Sequence, residues 1–235
     1  MHQGLDAGWQ VAYAAVTADG LARQHIQDLT TRAATAGARI VEVPDRLLSQ
    51  ITGKENAGAI VAAFKQTQRD LASLPMSDSE LWVALYRIRD PGNLGTILRT
   101  ADCAGASGVI LIDRCCDPYS VEAVRASMGA VFDMPFVTAA FEEFDTWRRS
   151  RSATMIAASV NGRARHDQVN YGAKTVVLMG NEQAGLPGEI EDACDELALI
   201  PMRPGADSLN LAQATALMTY EAWRARGYEG ATVAL

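Results

Sequence analysis

The sequence predicts an α/β protein built around a mostly parallel, doubly covered sheet, with a smaller α/β unit in front of it. Three observations support this. From Leu81 onward, short apolar runs without polar alternation recur (LWVALYRI, GVILID, ATMIAAS, KTVVLMG, LALIPM), and strands apolar on both faces belong to sheets buried on both sides. Helical stretches separate these runs, and strand–helix alternation implies parallel crossovers. The chain has 235 residues, 49% hydrophobic and 21% charged, which suffices for a full core in one large or two small domains and argues against disorder.

In chain order, residues 9–16 read as a strand, 18–36 as a helix and 38–43 as a short strand. Pro44 is expected at the first helical position of PDRLLSQITG, with Gly53 closing that helix. Residues 58–64 give another strand, after which QTQRDLASLPMSDSE loses periodicity and gathers Ser, Pro and Asp, as a linker does. The expected boundary lies at 74–79, which gives a first domain over 1–76 and a second over 80–235. In the second, helices are expected over 94–106, 119–128, 141–150 and 186–193. The last stretch, 197–221, runs from an apolar strand through a Gly/Pro/Asp loop into a helix with only Gln213, Thr215 and Thr219 as polar breaks. That pattern predicts a helix packed on more than one side.

Composition also excludes classes of function. No apolar run approaches membrane-spanning length, and the start MHQGLDAGWQ has no basic segment before an apolar core. A cytoplasmic protein without a membrane partner is expected. Cys103, Cys115, Cys116 and Cys194 form no CxxC pair and the three histidines lie far from them in sequence, so neither a metal site nor a disulfide framework is expected. The net charge of −7 argues against nucleic-acid binding over the whole surface. It leaves room for a local basic patch, for which Arg87, Arg89, Arg99, Arg114 and Arg125 are the candidates.

Three loops at expected strand ends carry the chemistry-capable residues. The first, Arg89-Asp90-Pro91-Gly92-Asn93-Leu94-Gly95, leads into a helix bearing Arg99 among small and apolar neighbours. Asn93 can be its N-cap and Arg99 a solvated residue, or Arg99 can meet an anion such as a phosphate. The second is Met179-Gly180-Asn181-Glu182-Gln183-Ala184-Gly185-Leu186. Glycine directly after a strand allows close ligand approach, although the spacing matches neither a dinucleotide fingerprint nor a phosphate loop. The third spans 200–210, where Ser208 and Asn210 are helix caps or site residues. In parallel sheets such loops converge on one crevice at the carboxyl ends of the strands.

Together, N-x-G-x-x-x-R (Asn93, Gly95, Arg99), M-G-N-E-x-x-G-L (179–186) and I-P-M…S-L-N (Ile200, Pro201, Met202, Ser208, Leu209, Asn210) resemble the three ordered motifs of the SpoU/TrmH family of RNA ribose 2′-O-methyltransferases. The resemblance spans about 81–225, and Ala126-Ser127-Met128-Gly129-Ala130 is similar to the S-x-G-A segment between the first two motifs. It implies a SPOUT fold, a trefoil-knotted α/β methyltransferase domain acting as a homodimer, an exception to the rule that chains do not knot. The N-terminal third is similar in layout to the family's small ribosomal-protein L30e-like RNA-binding domain. The resemblance further implies S-adenosylmethionine as cofactor, contacted by Gly180, Ile200 and Leu209 with Leu178 and Met202 on the adenine side. Asn93, Arg99, Glu182, Ser208 and Asn210 would form the catalytic or structural polar set. The implied substrate is structured RNA, rRNA ahead of tRNA, because an RNA-binding unit before the catalytic domain is the layout of rRNA-directed members. A non-catalytic RNA-binding protein that keeps this fold, and an enzyme acting on a small nucleotide, are the other two classes.

Overall fold

A computed structural model describes residues 1–55, 58–74, 77–205 and 208–232. Pro75 and Met76 of the expected linker, Ala206 and Asp207 of the third loop, and Val233, Ala234 and Leu235 lie outside the described residues. The chain divides into two compact units, Met1–Thr67 and Gln68–Leu235. The division precedes the expected boundary because Leu71 and Leu74 pack into the second unit's core, beside Trp82 and Trp147.

The first unit contains α1 (His2–Asp6), β1 (Val11–Val16), α2 (Ala18–Leu21), α3 (Gln24–Thr35), β2 (Arg39–Glu42), α4 (Asp45–Thr52) and β3 (Ile60–Phe64). Its sheet runs β2-β1-β3, parallel on one side of β1 and antiparallel on the other. Val16, Ile26 and Leu29 form its buried centre. The helix expected over 18–36 is two helices. Arg23 is extended, at φ −98° and ψ 122°, and restarts the helix as α3. Upstream, Gly20 presses so closely on Ala59 that a Cβ would lie 2.8 Å from the Ala59 carbonyl oxygen, which fixes the short α2 in place. Pro44 stands one position earlier than expected, as the extended N-cap of α4, and Gly53 ends that helix in the left-handed region at φ 63°.

In the second unit, a 3-10 turn (Leu71–Ser73) precedes β4 (Glu80–Tyr86), α5 (Pro91–Cys103), β5 (Gly108–Ile112), α6 (Val121–Ala126), α7 (Ala130–Asp133) and β6 (Phe136–Ala139). Then come α8 (Phe141–Ser150), β7 (Thr154–Ala158), β8 (Ala164–Arg165), β9 (Lys174–Met179), α9 (Gly188–Asp192), β10 (Glu196–Leu199) and α10 (Leu211–Ala225). The strand order is β6-β5-β4-β9-β7-β10-β8 and every pairing is parallel. Side chains of the central β4 alternate between two apolar layers, as the pleat requires. Leu81, Val83 and Leu85 face Leu94, Ile97 and Leu98 of α5 and Met218 of α10, whereas Trp82 and Ala84 face Phe144, Trp147 and Ile190. Each fully buried aliphatic side chain contributes about 1.5–3 kcal/mol by leaving water.

A charge is also buried at the start of β4. Glu80 and Arg151 are paired at 3.1 Å, and Glu80 also accepts from the Trp82 indole at 2.9 Å. Arg151 donates to the Leu74 carbonyl at 2.8 Å and lies over the Trp147 ring. The partners offset the desolvation that burying two charges costs.

The C-terminal helix departs from expectation. α10 buries Ala212, Thr215, Met218, Thr219 and Ala222 and packs on α5, β4 and β9, but Leu217 and Tyr220 remain 44% and 42% exposed. One layer of this chain covers one side of the helix only. No helix among the described residues is long and apolar enough to cross a membrane.

Candidate active site

The three motif loops meet at the carboxyl ends of β4, β9 and β10. After β4, Asp90 caps α5 by accepting from the Asn93 backbone N–H at 2.7 Å, and Pro91 occupies the first helical turn. The cap is therefore Asp90, not Asn93, because Pro91 pre-sets the helical φ directly after it. This frees the Asn93 side chain. Its amide reaches Glu182 at 3.4 Å, and its carbonyl oxygen accepts from the Asn210 side-chain amide at 3.0 Å. Asn210 also caps α10, with its oxygen accepting from Ala212 N–H at 2.9 Å and Gln213 N–H at 3.4 Å. The capping and site readings of Asn210 thus hold together.

Glu182 is the centre of the polar network. Its carboxylate accepts from the backbone N–H groups of Arg89 (3.2 Å) and Asp90 (3.2 Å), and from the Asn93 and Asn181 side chains (3.4 Å each). One anion satisfies free amides just before a helix and ties the second motif loop to the first. Asn181, which sequence reading passed over, holds its own loop. It donates to the Arg87 carbonyl at 2.7 Å and accepts from Gln183 and Ala184 N–H. The loop folds back as an Asn181–Gly185 bridge with Gly185 at φ +66°. Gly180 lies beneath it, where a Cβ would fall 2.5 Å from the Gly185 carbonyl carbon. Only glycine fits there.

Beside this network lies a cleft of about 420 Å³ whose walls include Gly180, Glu182, Ile200, Met202, Ser208 and Leu209. Met179, Leu186, Leu199, Leu211 and Ala214 add apolar wall. One end is polar. There Ser159 donates to Glu191 at 2.5 Å and Asn161 donates to it at 2.9 Å. None of these three was anticipated, although the SVNG turn after β7 marks a loop at a strand end.

Two expected residues are placed elsewhere. Leu178 is fully buried in the layer with Trp82 and Ile190 and does not line the cleft, whereas its neighbour Met179 does. Arg99 is exposed on α5, lines no part of the cleft, and its side chain makes no hydrogen bond or ion pair among the described residues. Gly95 has a packing role. A Cβ there would meet the Ala123 carbonyl oxygen at 2.3 Å and Ala126 Cβ at 2.6 Å, so α5 and α6 approach at backbone distance. Ser127, Met128 and Gly129 follow directly, the last two with positive φ. No cluster of three or more His, Cys, Asp or Glu side chains among the described residues could hold a metal ion.

The profile of the SpoU rRNA Methylase family matches residues 80–220, which contain all three loops. The chain belongs to this family. A relative in Streptomyces viridochromogenes, a 23S rRNA (uridine(2479)-2′-O)-methyltransferase, is 33% identical over 80% of this chain and 68% of its own length. A Bacillus subtilis 23S rRNA (guanosine(2553)-2′-O)-methyltransferase is 27% identical over 71% of this chain and 69% of its own. Among solved structures, the AdoMet-bound rRNA methyltransferase from Sinorhizobium meliloti superposes with a TM-score of 0.88 at 40% identity, covering 95% of this chain and 83% of that one. The SpoU methyltransferase AviRb from S. viridochromogenes, in complex with AdoMet, gives 0.88 at 28% identity over 96% and 86%.

Proposed function

We propose that this protein transfers a methyl group from S-adenosylmethionine to a ribose 2′-hydroxyl of RNA, with rRNA ahead of tRNA as substrate, in the cytoplasm. The observation that carries the reading is the convergence of three motif loops on one mostly apolar cleft, laced together by Glu182, Asn93 and Asn210. The 23S rRNA targets in the names of two relatives favour rRNA.

The cleft fits the cofactor. Its volume of about 420 Å³ is that of a small-molecule site, and Gly180 lets the Asn181–Gly185 loop that walls it pack at backbone distance, where a Cβ would meet Gly185 and Leu186. Gly180, Ile200, Met202 and Leu209 would hold S-adenosylmethionine, with Met179 taking the wall position that the motif resemblance gives to Leu178. When bound, it supplies a methyl group on a positively charged sulfur, open to in-line displacement by a hydroxyl.

The protein's own contribution is alignment and proton management. Glu182 holds the loops in register through backbone amides, and Ser208 offers a hydroxyl to the cleft. Arg99 presents a planar guanidinium fork of the kind that pairs with phosphate oxygens. Its role is to grip an RNA phosphate and orient the 2′-hydroxyl, whose proton leaves to that phosphate, to water or to Arg99 itself. Arg99→Lys keeps the charge and loses the fork, so near-normal transfer by this variant would remove that role.

The finer reading adds a trefoil knot, a homodimer, and division of labour between residues 1–76 for RNA capture and 80–235 for catalysis. Exposed Leu217 and Tyr220 on α10 support a second copy, and the packing of α10 against α5, β4 and β9 supports a tucked C-terminus. Sedimentation equilibrium should give a dimer; a monomer at micromolar concentration removes that part. Crosslinks from rRNA to peptides within 1–67 are expected of the full chain, and their absence contradicts RNA capture by the first unit. A traced experimental chain path decides the knot.

The direct test is transfer of tritiated methyl from S-adenosylmethionine to unmodified 23S rRNA. RNA binding without cofactor binding or transfer would replace this reading with a non-catalytic RNA-binding protein.

A further inference from the structure

A second concavity, of about 630 Å³, opens at the carboxyl ends of β4 and β5 and is walled by Arg87, Arg89, Arg114, Asp113, Cys115 and Cys116. Its two principal side chains sit on strained backbone. Arg87 and Asp113, the residues just after the two strands, have φ of 51° and 59°, a left-handed conformation that is strained for a non-glycine residue. Such strain collects at functional positions. Here it aims one side chain at the other. Arg87 Nη2 lies 2.8 Å from Asp113 Oδ2, and the other Asp113 oxygen accepts from Phe141 N–H at 3.2 Å.

The arrangement leaves positive charge and a flat surface. The Arg87 guanidinium lies over the Tyr86 ring, 4.9 Å from its centroid, while its side chain stays 56% exposed, so one face is covered and the other is open. Both oxygens of Asp113, the only carboxylate among the described residues that line the concavity, are engaged, and the nearby Glu182 carboxylate is taken up by the Arg89 and Asp90 backbone amides. Arg89 and Arg114 are exposed and make no side-chain hydrogen bond or ion pair among the described residues. Burial pushes both thiols up, that of Cys116 to about 11, so they add no negative charge at neutral pH. The wall is continuous with the methyl-transfer site, because the Arg89 and Asp90 backbone amides are those that Glu182 accepts from.

We propose that this concavity binds the RNA strand flanking the methylated nucleotide, taking a phosphodiester between Arg89 and Arg114 and an unpaired base against the open face of Arg87. Guanidinium planes stack splayed-out bases, and unpaired arginines are natural phosphate partners. The inference rests on the RNA methyltransferase reading and deepens it by naming where the neighbouring nucleotide lies.

The test uses full-length Arg89→Ala/Arg114→Ala, Arg89→Lys/Arg114→Lys and Arg87→Ala variants. Each is measured for binding of a fluorescein-labelled single-stranded 12-mer RNA and its duplex, for S-adenosylmethionine affinity, and for KM with unmodified 23S rRNA. The alanine pair is expected to bind the single strand at least tenfold more weakly, with a salt slope smaller by about 0.7, the change for one phosphate no longer neutralised on a single strand. It should also raise KM for rRNA while cofactor affinity stays within twofold. The lysine pair should restore most of the affinity, and Arg87→Ala should weaken the single strand more than the duplex. Unchanged single-strand affinity and salt slope in the alanine pair overturn the site. Equal loss for strand and duplex in Arg87→Ala overturns the stacked base. If the alanine pair loses cofactor binding, Arg89→Gln/Arg114→Gln replaces it: unchanged single-strand affinity and salt slope with intact cofactor binding overturns the site. If wild type transfers no methyl group to rRNA while the alanine pair still loses RNA, the concavity stands and the methyltransferase reading falls.

Discussion

The side-chain amide of Asn210 donates to the side-chain carbonyl of Asn93 at 3.0 Å, joining the first and third motifs across 117 residues of chain. A double-mutant cycle of Asn93→Ala and Asn210→Ala, read by thermal unfolding, should give a coupling energy of about 0.5–1.5 kcal/mol. Asn210→Ala should be the more damaging single change, by roughly 1 kcal/mol, because it also removes the α10 cap. Strict additivity would mean that the two loops are held independently.

Gly180→Ala should weaken S-adenosylmethionine binding by at least about tenfold, or ~1.4 kcal/mol. The added methyl would sit 2.5 Å from the Gly185 carbonyl carbon, so the loop must open and the cleft wall shifts with it. Calorimetric titration of the folded variant reads the change. Wild-type affinity would show that this loop does not shape the cofactor site.

Arg151→Met should cost about 3–5 kcal/mol and lower Tm by roughly 10 °C, because Glu80 would stay buried without its ion partner. The exposed Arg149, paired with Asp145 at 2.8 Å, is the control, and Arg149→Ala should leave Tm nearly unchanged. Comparable effects from the two would contradict the burial argument.

Alkaline pH should destabilise the fold. Burial raises the thiol of Cys116 to about 11 and that of Cys194 to about 12, above an unfolded value near ~8.5. Between these values the unfolded chain has released protons that the folded chain still holds, so stability falls as pH rises from about 9 to 11. Tm should decline over that window, and Cys116→Ala with Cys194→Ala should flatten the decline. An unchanged slope in the double variant would assign the loss to other groups.

Much of this was legible because burial leaves a mark in composition. β4, β5, β7 and β9 are apolar on both faces and stand out as uninterrupted runs. β6 and β8 span four and two residues and are too short to show a period. The displacement of Leu178 has the same root as the legibility of its strand. Adjacent residues of a strand point to opposite faces, so a one-residue shift in a carried-over position moves it from the cleft wall to the opposite layer, and an all-apolar strand gives no sign of which face is which. Gly95 was legible as a motif residue, but its reason was not, because the contact with Ala123 lies 28 residues away. The apolar α10 suggested packing on more than one side, whereas Leu217 and Tyr220 on its outer face are exposed in this chain.

The most direct test of the account is ribose-methylation mapping of total RNA from cells with the gene intact, deleted, and restored with wild type or Arg99→Ala. The account predicts that one 2′-O-methylated rRNA position disappears on deletion, returns with wild type, and does not return with Arg99→Ala. Identical maps in all four strains, together with no transfer to unmodified 23S rRNA in vitro, would contradict it.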